Sequence, residues 1–154
     1  MSSHPQHPQP GPAAISPQRT AEIAEVIQRV TRWAASRSDI TGLLLAGSCA
    51  RGTPGPGSDI DLVLLTTDQT RYRRNDWAGE LSLDQPVRTK SWGPLTEQRF
   101  TTASGLEIEI NIGPPDWAST NPVDPGTRRV VTDGARPLHD PAGTLATLLS
   151  ACRP

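Results

Sequence analysis

The chain has 154 residues, a length that suits one domain burying roughly two-thirds of its unfolded surface. Its 15 basic residues meet 16 acidic ones, so no net field argues for bulk nucleic-acid binding or for an anionic membrane. Cys49 and Cys152 are too few for a disulfide framework, and neither a signal peptide nor ~18 consecutive apolar residues is present, so a soluble cytoplasmic protein is expected.

The N-terminal residues, through 15, are dominated by Pro, Gln, Ser and His and are expected to form a disordered tail ahead of a single domain at 16–154. His4 and His7 read as solvated residues of that tail. Ser16-Pro17 then supplies a helix N-cap followed by proline at the first helical position. Ile23, Val26, Ile27, Val30, Trp33 and Ala34 recur at helical spacing, while Glu22, Glu25, Arg29 and Arg32 fall elsewhere. The pattern predicts an amphipathic helix ending near Ser38.

Residues 40–46 read as a buried strand, and 47–57 as a loop with at most one helical turn, because Pro54-Gly55-Pro56-Gly57 prevents a longer helix. Residues 59–66 form a second apolar strand. Arg71-Tyr72-Arg73-Arg74 leads into a short helix around 77–81, and strands at 87–92 and 96–101 join through Gly93-Pro94. The cleanest strand is 106–112: Leu106, Ile108, Ile110 and Ile112 take one face, Glu107, Glu109 and Asn111 the other, and Pro114-Pro115 stops it. A loop with a short helix at 123–133 and a last helix at 142–151 complete the chain. This order predicts an α+β (α/β-like) domain with a small mixed sheet of four or five strands.

The chemistry gathers after the first strand. In Gly47-Ser48-Cys49-Ala50-Arg51-Gly52, Gly47 lets the backbone approach a ligand, and Ser48 adds a hydroxyl and an amide donor, a cradle suited to the β- and γ-phosphates of a nucleotide. By itself this Gly-Ser also fits an ordinary turn. In Ser58-Asp59-Ile60-Asp61 the two carboxylates point to one strand face, about 6.6 Å apart. Val63 and Leu65 continue that face as apolar residues, and Ile60, Leu62 and Leu64 fill the other, as in a central strand. Two anions at a strand mouth repel unless a cation lies between them, and magnesium takes one or two carboxylates plus phosphate oxygens. Taken without the Gly-Ser turn, the pair reads equally as a solvent-facing pair with Ser58 capping a turn.

Gly47-Ser48, Ala50-Arg51-Gly52 and Ser58-Asp59-x-Asp61, with Ser58 ten residues after Ser48, resemble the signature of the nucleotidyltransferases related to DNA polymerase β, in their minimal single-domain form. The specific resemblance covers 43–65, with a looser one to 112. It implies a short mixed sheet with helices mainly on one face. It also implies a reaction in which two Mg²⁺ ions position an acceptor hydroxyl in line with the α-phosphate of a nucleoside triphosphate, ATP being the first expectation, with pyrophosphate as leaving group. On this resemblance Asp59 and Asp61 hold both metals, and Gly47 and Ser48 cradle the triphosphate with Arg51 and Ser58 in the same nucleotide site. A third carboxylate from a later strand completes the metal site; Glu109 is preferred, being embedded in Ile108-Glu109-Ile110, with Glu107 as runner-up. Family members usually place Asp there, so Glu is a departure.

Other residues carry bland alternatives. Arg51 reads equally as a triphosphate ligand and as a solvated loop residue. Arg71, Arg73 and Arg74 read as a solvated face, Trp92 and Trp117 as packing under loops, and Cys49 as a small hydrophobe. The expected activity is transfer of a nucleotidyl group, AMP in the first instance, to a hydroxyl of a small molecule, a protein or a tRNA end. The acceptor site is expected from 72–117, from a partner protein or from a second copy of the chain. The alternative is an antitoxin-type module of a two-gene toxin pair that acts by association.

Overall fold

Ser16 begins the first helix as its sequence dictates. In a computed structural model, which describes residues 14–154 except 75 and 85 and except the side chain of Trp92, the Ser16 hydroxyl accepts from the Arg19 amide. Helix α1, Pro17–Ala35, buries Ile23, Val26, Val30, Trp33 and Ala34, and Ser36 closes it two residues before the expected end. The expected tail with His4 and His7 lies outside the described residues, apart from Ala14 and Ile15, the latter packed against the core.

Six strands form one mixed sheet: β1 Ile40–Ala46, β2 Ile60–Thr66, β3 Arg88–Trp92, β4 Leu95–Thr101, β5 Glu107–Gly113 and β6 Ala135–His139. Their order is β3-β4-β5-β2-β1-β6, and β2 with β5 is its parallel pair. The sheet is one strand larger than expected. Strand β6 hides in the sequence because Ala135-Arg136-Pro137-Leu138-His139 has no period-2 apolar pattern and a proline at its centre. An edge strand tolerates that proline, since one row of its backbone groups needs no partner.

The alternation read from the sequence divides the core. Leu43, Leu45, Ile60, Leu62, Leu64, Ile108, Ile110 and Ile112 pack beneath α1, together with Trp77 of the short helix α3, Asp76–Gly79. Trp33, Tyr72, Trp77 and Phe100 stack there with ring centroids 5.6–6.0 Å apart. On the opposite face Leu44, Val63 and Leu65 meet Trp117, Leu145 and Leu148. Helices thus cover both faces rather than mainly one: α1 on the first, α4, Pro125–Asp133, and α5, Thr144–Ala151, on the second. The smaller second layer stops short of the strand ends where Asp61 and Glu109 stand, and a cleft opens there. Among the described residues no helix is long and apolar enough to cross a membrane.

Candidate active site

Strand pairing assembles the acids. Asp59 stands immediately before β2, Asp61 lies in it, and the parallel register sets Asp61 opposite Glu109. Both side chains point away from the α1 layer because Ile60, Ile108 and Ile110 claim that face. One carboxylate oxygen from each of Asp59, Asp61 and Glu109 lies within 4.8 Å of the others. Glu107, two residues earlier on the same face, is half exposed and outside this cluster.

The cluster is short of positive charge. Burial pushes the Glu109 carboxyl up to about 9, and hydrogen bonding to Asp61 and Glu97 adds to the shift. Burial also raises Asp61, and Asp59 reinforces this, while the hydrogen bond with Glu109 and the Arg99 guanidinium oppose it. Asp61 Oδ1 is buried with no hydrogen-bond partner. An orphaned acceptor among three converging carboxylates fits a hard divalent cation, which binds oxygen ligands of this kind.

Strand β1 delivers the turn to the same place, since Ala46 pairs with Asp61. Gly47 follows with φ +72°, opening the four-residue helix α2, Gly47–Ala50. A Cβ at Gly47 would lie 2.9 Å from Asp61 Oδ2, so a side chain there would displace the acid as well as strain the backbone. The Gly47 amide donates to the carbonyl of Gly134, the residue between α4 and β6, at 3.1 Å, which commits it to that turn rather than to a ligand. The Ser48 hydroxyl donates to Ser58 Oγ at 3.0 Å, and Ser58 Oγ accepts from the Gly55 amide at 2.8 Å. Arg51 donates to the Asp133 carbonyl at 2.6 Å and lies 3.4 Å from its carboxylate. The turn residues therefore flank the acids, each tied to a neighbouring loop.

Several expectations for bland residues hold. Cys49 is buried, its thiol pushed up by burial and by Asp61 and Asp59, and Sγ donates to the Asp59 carbonyl at 3.4 Å. Arg73 and Arg74 are exposed, while Arg71 pairs with Asp39. Trp117 is buried, yet it also lines the cleft.

The cleft has a volume of about 400 Å³. Its floor carries Asp61, Glu97, Glu109 and Asn111, and its wall Leu95, Trp117 and Val130. Three contributors escaped the sequence reading. Glu97 is 2% exposed and bonded by Arg88 at 2.9 and 2.5 Å. Arg99 pairs across the β4–β5 ladder with Glu109 and reaches Asp59. Asp124 caps α4 by accepting from the Gly126 and Thr127 amides, and its side of α4 walls the cleft. The signal for the first two was present: Glu97-x-Arg99 alternates in a hairpin whose partner alternates Glu109-x-Asn111, and a tight turn at 102–105 sets Arg99 opposite Glu109 and Glu97 opposite Asn111.

Residues 27–102 match the nucleotidyltransferase domain family. That span includes Gly47, Ser48, Asp59 and Asp61 and ends before Glu109. No curated protein sequence matches the chain. Among solved structures the fold is similar to a cytoplasmic RNA terminal U-transferase, with TM-score 0.50 and 15% identity over 77% of this chain and 34% of that one. The Cid1 poly(U) polymerase gives TM-score 0.47 and 19% identity, over 64% of this chain and 32% of that one. The polymerase core of the RNA surveillance complex TRAMP gives TM-score 0.43 and 22% identity over 64% and 32%. The chain spans about a third of the length of these proteins.

Proposed function

We propose a function for this chain, which belongs through residues 27–102 to the nucleotidyltransferase domain family, as a divalent-metal-dependent enzyme that transfers a nucleotidyl group from a nucleoside triphosphate to an acceptor hydroxyl. The observation that carries the reading is the convergence of Asp59, Asp61 and Glu109 within 4.8 Å beside a positive-φ glycine turn, with Asp61 Oδ1 left unpaired. Mg²⁺ is the preferred ion, two of them on the family's pattern, and ATP the first nucleotide to test.

Asp59, Asp61 and Glu109 would hold the metal, which when bound offsets triphosphate charge and lowers the pKa of the acceptor hydroxyl. The chain's own groups do the rest. Glu109, which must give up its own proton when a metal binds, would then offer a carboxylate oxygen beside Asp61 to accept the hydroxyl proton. The acceptor oxygen bonds the α-phosphorus, the bond from that phosphorus to the bridging oxygen breaks, and pyrophosphate leaves. Gly47 keeps the turn low enough for phosphate to approach the acids, and Ser48, Ser58 and Arg51 border the same mouth. Trp117, Leu95 and Val130 offer an apolar wall for a base or an acceptor ring.

The acceptor classes are a small hydroxylated molecule, a protein side chain or an RNA end such as that of tRNA, and the setting is cytoplasmic. Incubation with α-labelled nucleotides, Mg²⁺ and host extract identifies the acceptor by what becomes labelled. Label transfer that is no greater with wild-type protein than with Asp61→Asn, for every nucleotide tried, would refute the reading.

A further inference from the structure

Arg99 sits on β4 with its side chain 18% exposed, directly across the ladder from Glu109. One terminal nitrogen lies 3.1 Å from Asp59 Oδ2 and 2.8 Å from Glu107 Oε2, and the other lies 3.5 Å from Glu109 Oε2. Its Nε is buried and has no partner. The guanidinium therefore hydrogen-bonds one of the three clustered acids, Asp59, and stands in longer ionic contact with a second, Glu109, while one of its own donors is left unpaired, an arrangement that is only partly satisfied.

We propose that Arg99 is a built-in counter-ion that occupies the acids' lone pairs until a divalent cation arrives, and that Glu107 is the anchor onto which it withdraws. The proposal rests on the metal reading of Asp59, Asp61 and Glu109 and adds a determinant of metal affinity to it. A dication held by these acids needs oxygens that Arg99 now engages, and a fixed positive charge alongside would repel it. Arginine does not shed its proton, so the repulsion is relieved by movement. Glu107 lies on the same strand face as Glu109, outside the cluster and half exposed, and it already holds the nitrogen that bridges to Asp59. Letting go of Asp59 and Glu109 while keeping Glu107 is a short rotation of a long side chain. This assigns Glu107 a role that is not metal ligation: it positions Arg99.

Calorimetric titration of the metal-free full chain with Mn²⁺ tests the idea. Arg99→Gln should bind Mn²⁺ about tenfold more tightly than wild type, since a competing charge is gone. A residue that merely supported the site would instead weaken binding when removed. Glu107→Gln, which strips Arg99 of its anchor, should weaken binding several-fold, and this loss should largely vanish in the Arg99→Gln background. A Glu107 effect of equal size in both backgrounds would mean that it acts by its own field and would overturn its assigned role. Thermal melting in chelator should show Arg99→Gln melting below wild type and gaining more on Mn²⁺ addition. Should that variant not fold, Arg99→Met, which keeps an apolar stem and removes the charge, should likewise bind more tightly than wild type. Unchanged or weaker Mn²⁺ binding by the Arg99 variants, with wild-type binding abolished by Asp61→Asn, would overturn the counter-ion proposal and leave the metal reading standing. Absence of Mn²⁺ binding by both wild type and Arg99→Gln would overturn both.

Discussion

Gly47 and Gly52 form a matched pair of probes for the turn. Both have left-handed backbones, with φ +72° and +73°, so an alanine at either costs roughly 1–2 kcal/mol of backbone strain. They differ in what the new methyl meets. At Gly52 nothing lies within 4 Å, whereas at Gly47 the Cβ would stand 2.9 Å from Asp61 Oδ2, with Asp61 Cγ at 3.8 Å. Asp61 must then rotate, and an off-rotamer side chain adds about 0.5–1.5 kcal/mol. Gly52→Ala should lower stability by roughly 1–2 kcal/mol and Gly47→Ala by roughly 2–3, each kcal/mol lowering Tm by about 2–4 °C at this size. The functional difference is larger. A rotated Asp61 leaves the carboxylate cluster, so Gly47→Ala should weaken Mn²⁺ binding about 10- to 100-fold, a loss of the size seen when metal ligands lose their orientation. Gly52→Ala should leave Mn²⁺ binding unchanged. Scanning calorimetry in chelator and isothermal titration with Mn²⁺ measure the two effects separately. Equal Mn²⁺ affinity in the two variants would refute the claim that a side chain in place of Gly47 displaces Asp61.

Glu109→Gln should abolish label transfer while Glu107→Gln leaves a measurable rate; the reverse order in a single-turnover assay would exchange their roles. Ile110→Ala removes a fully buried side chain between β2 and β4 and should cost about 2–5 kcal/mol in urea unfolding, far more than a substitution at exposed Val87. Tyr72, the only tyrosine, is pushed up to about 12 by burial and by its hydrogen bond to Asp39. Its phenolate absorbance should therefore rise about two pH units later than that of the unfolded chain. The unfolded tyrosine loses its proton near pH 10 while the folded one keeps it, so this contribution to stability is intact below pH 10 and is lost as pH rises towards 12.

The sequence by itself determined what depends on the neighbours along the chain. Ser16 and Pro17 set the start of α1, and its helical period chose the buried face. Period-2 alternation in 59–66 and 106–112 placed Asp59, Asp61, Glu107 and Glu109 on faces opposite Ile60, Leu62, Ile108 and Ile110, because successive side chains of a strand must point to opposite sides. Gly-Ser and Asp-x-Asp at their spacing marked the two ends of the turn that flanks the cleft. Alternation leaves Glu107 and Glu109 equivalent. Their separation came from the parallel register that sets Asp61 against Glu109, a pairing between segments far apart in sequence. The same non-local pairing brought Arg99 onto the acids, tied Arg51 to Asp133 and the Gly47 amide to Gly134, and made an edge strand of a proline-centred segment. It also raised α4 into the cleft wall beside Trp117, beyond the 72–117 stretch that the sequence suggested for the acceptor. Local geometry is written residue by residue in the backbone's allowed angles, whereas register follows from which faces must be buried against which, and that is decided only when the whole sheet closes over its two cores.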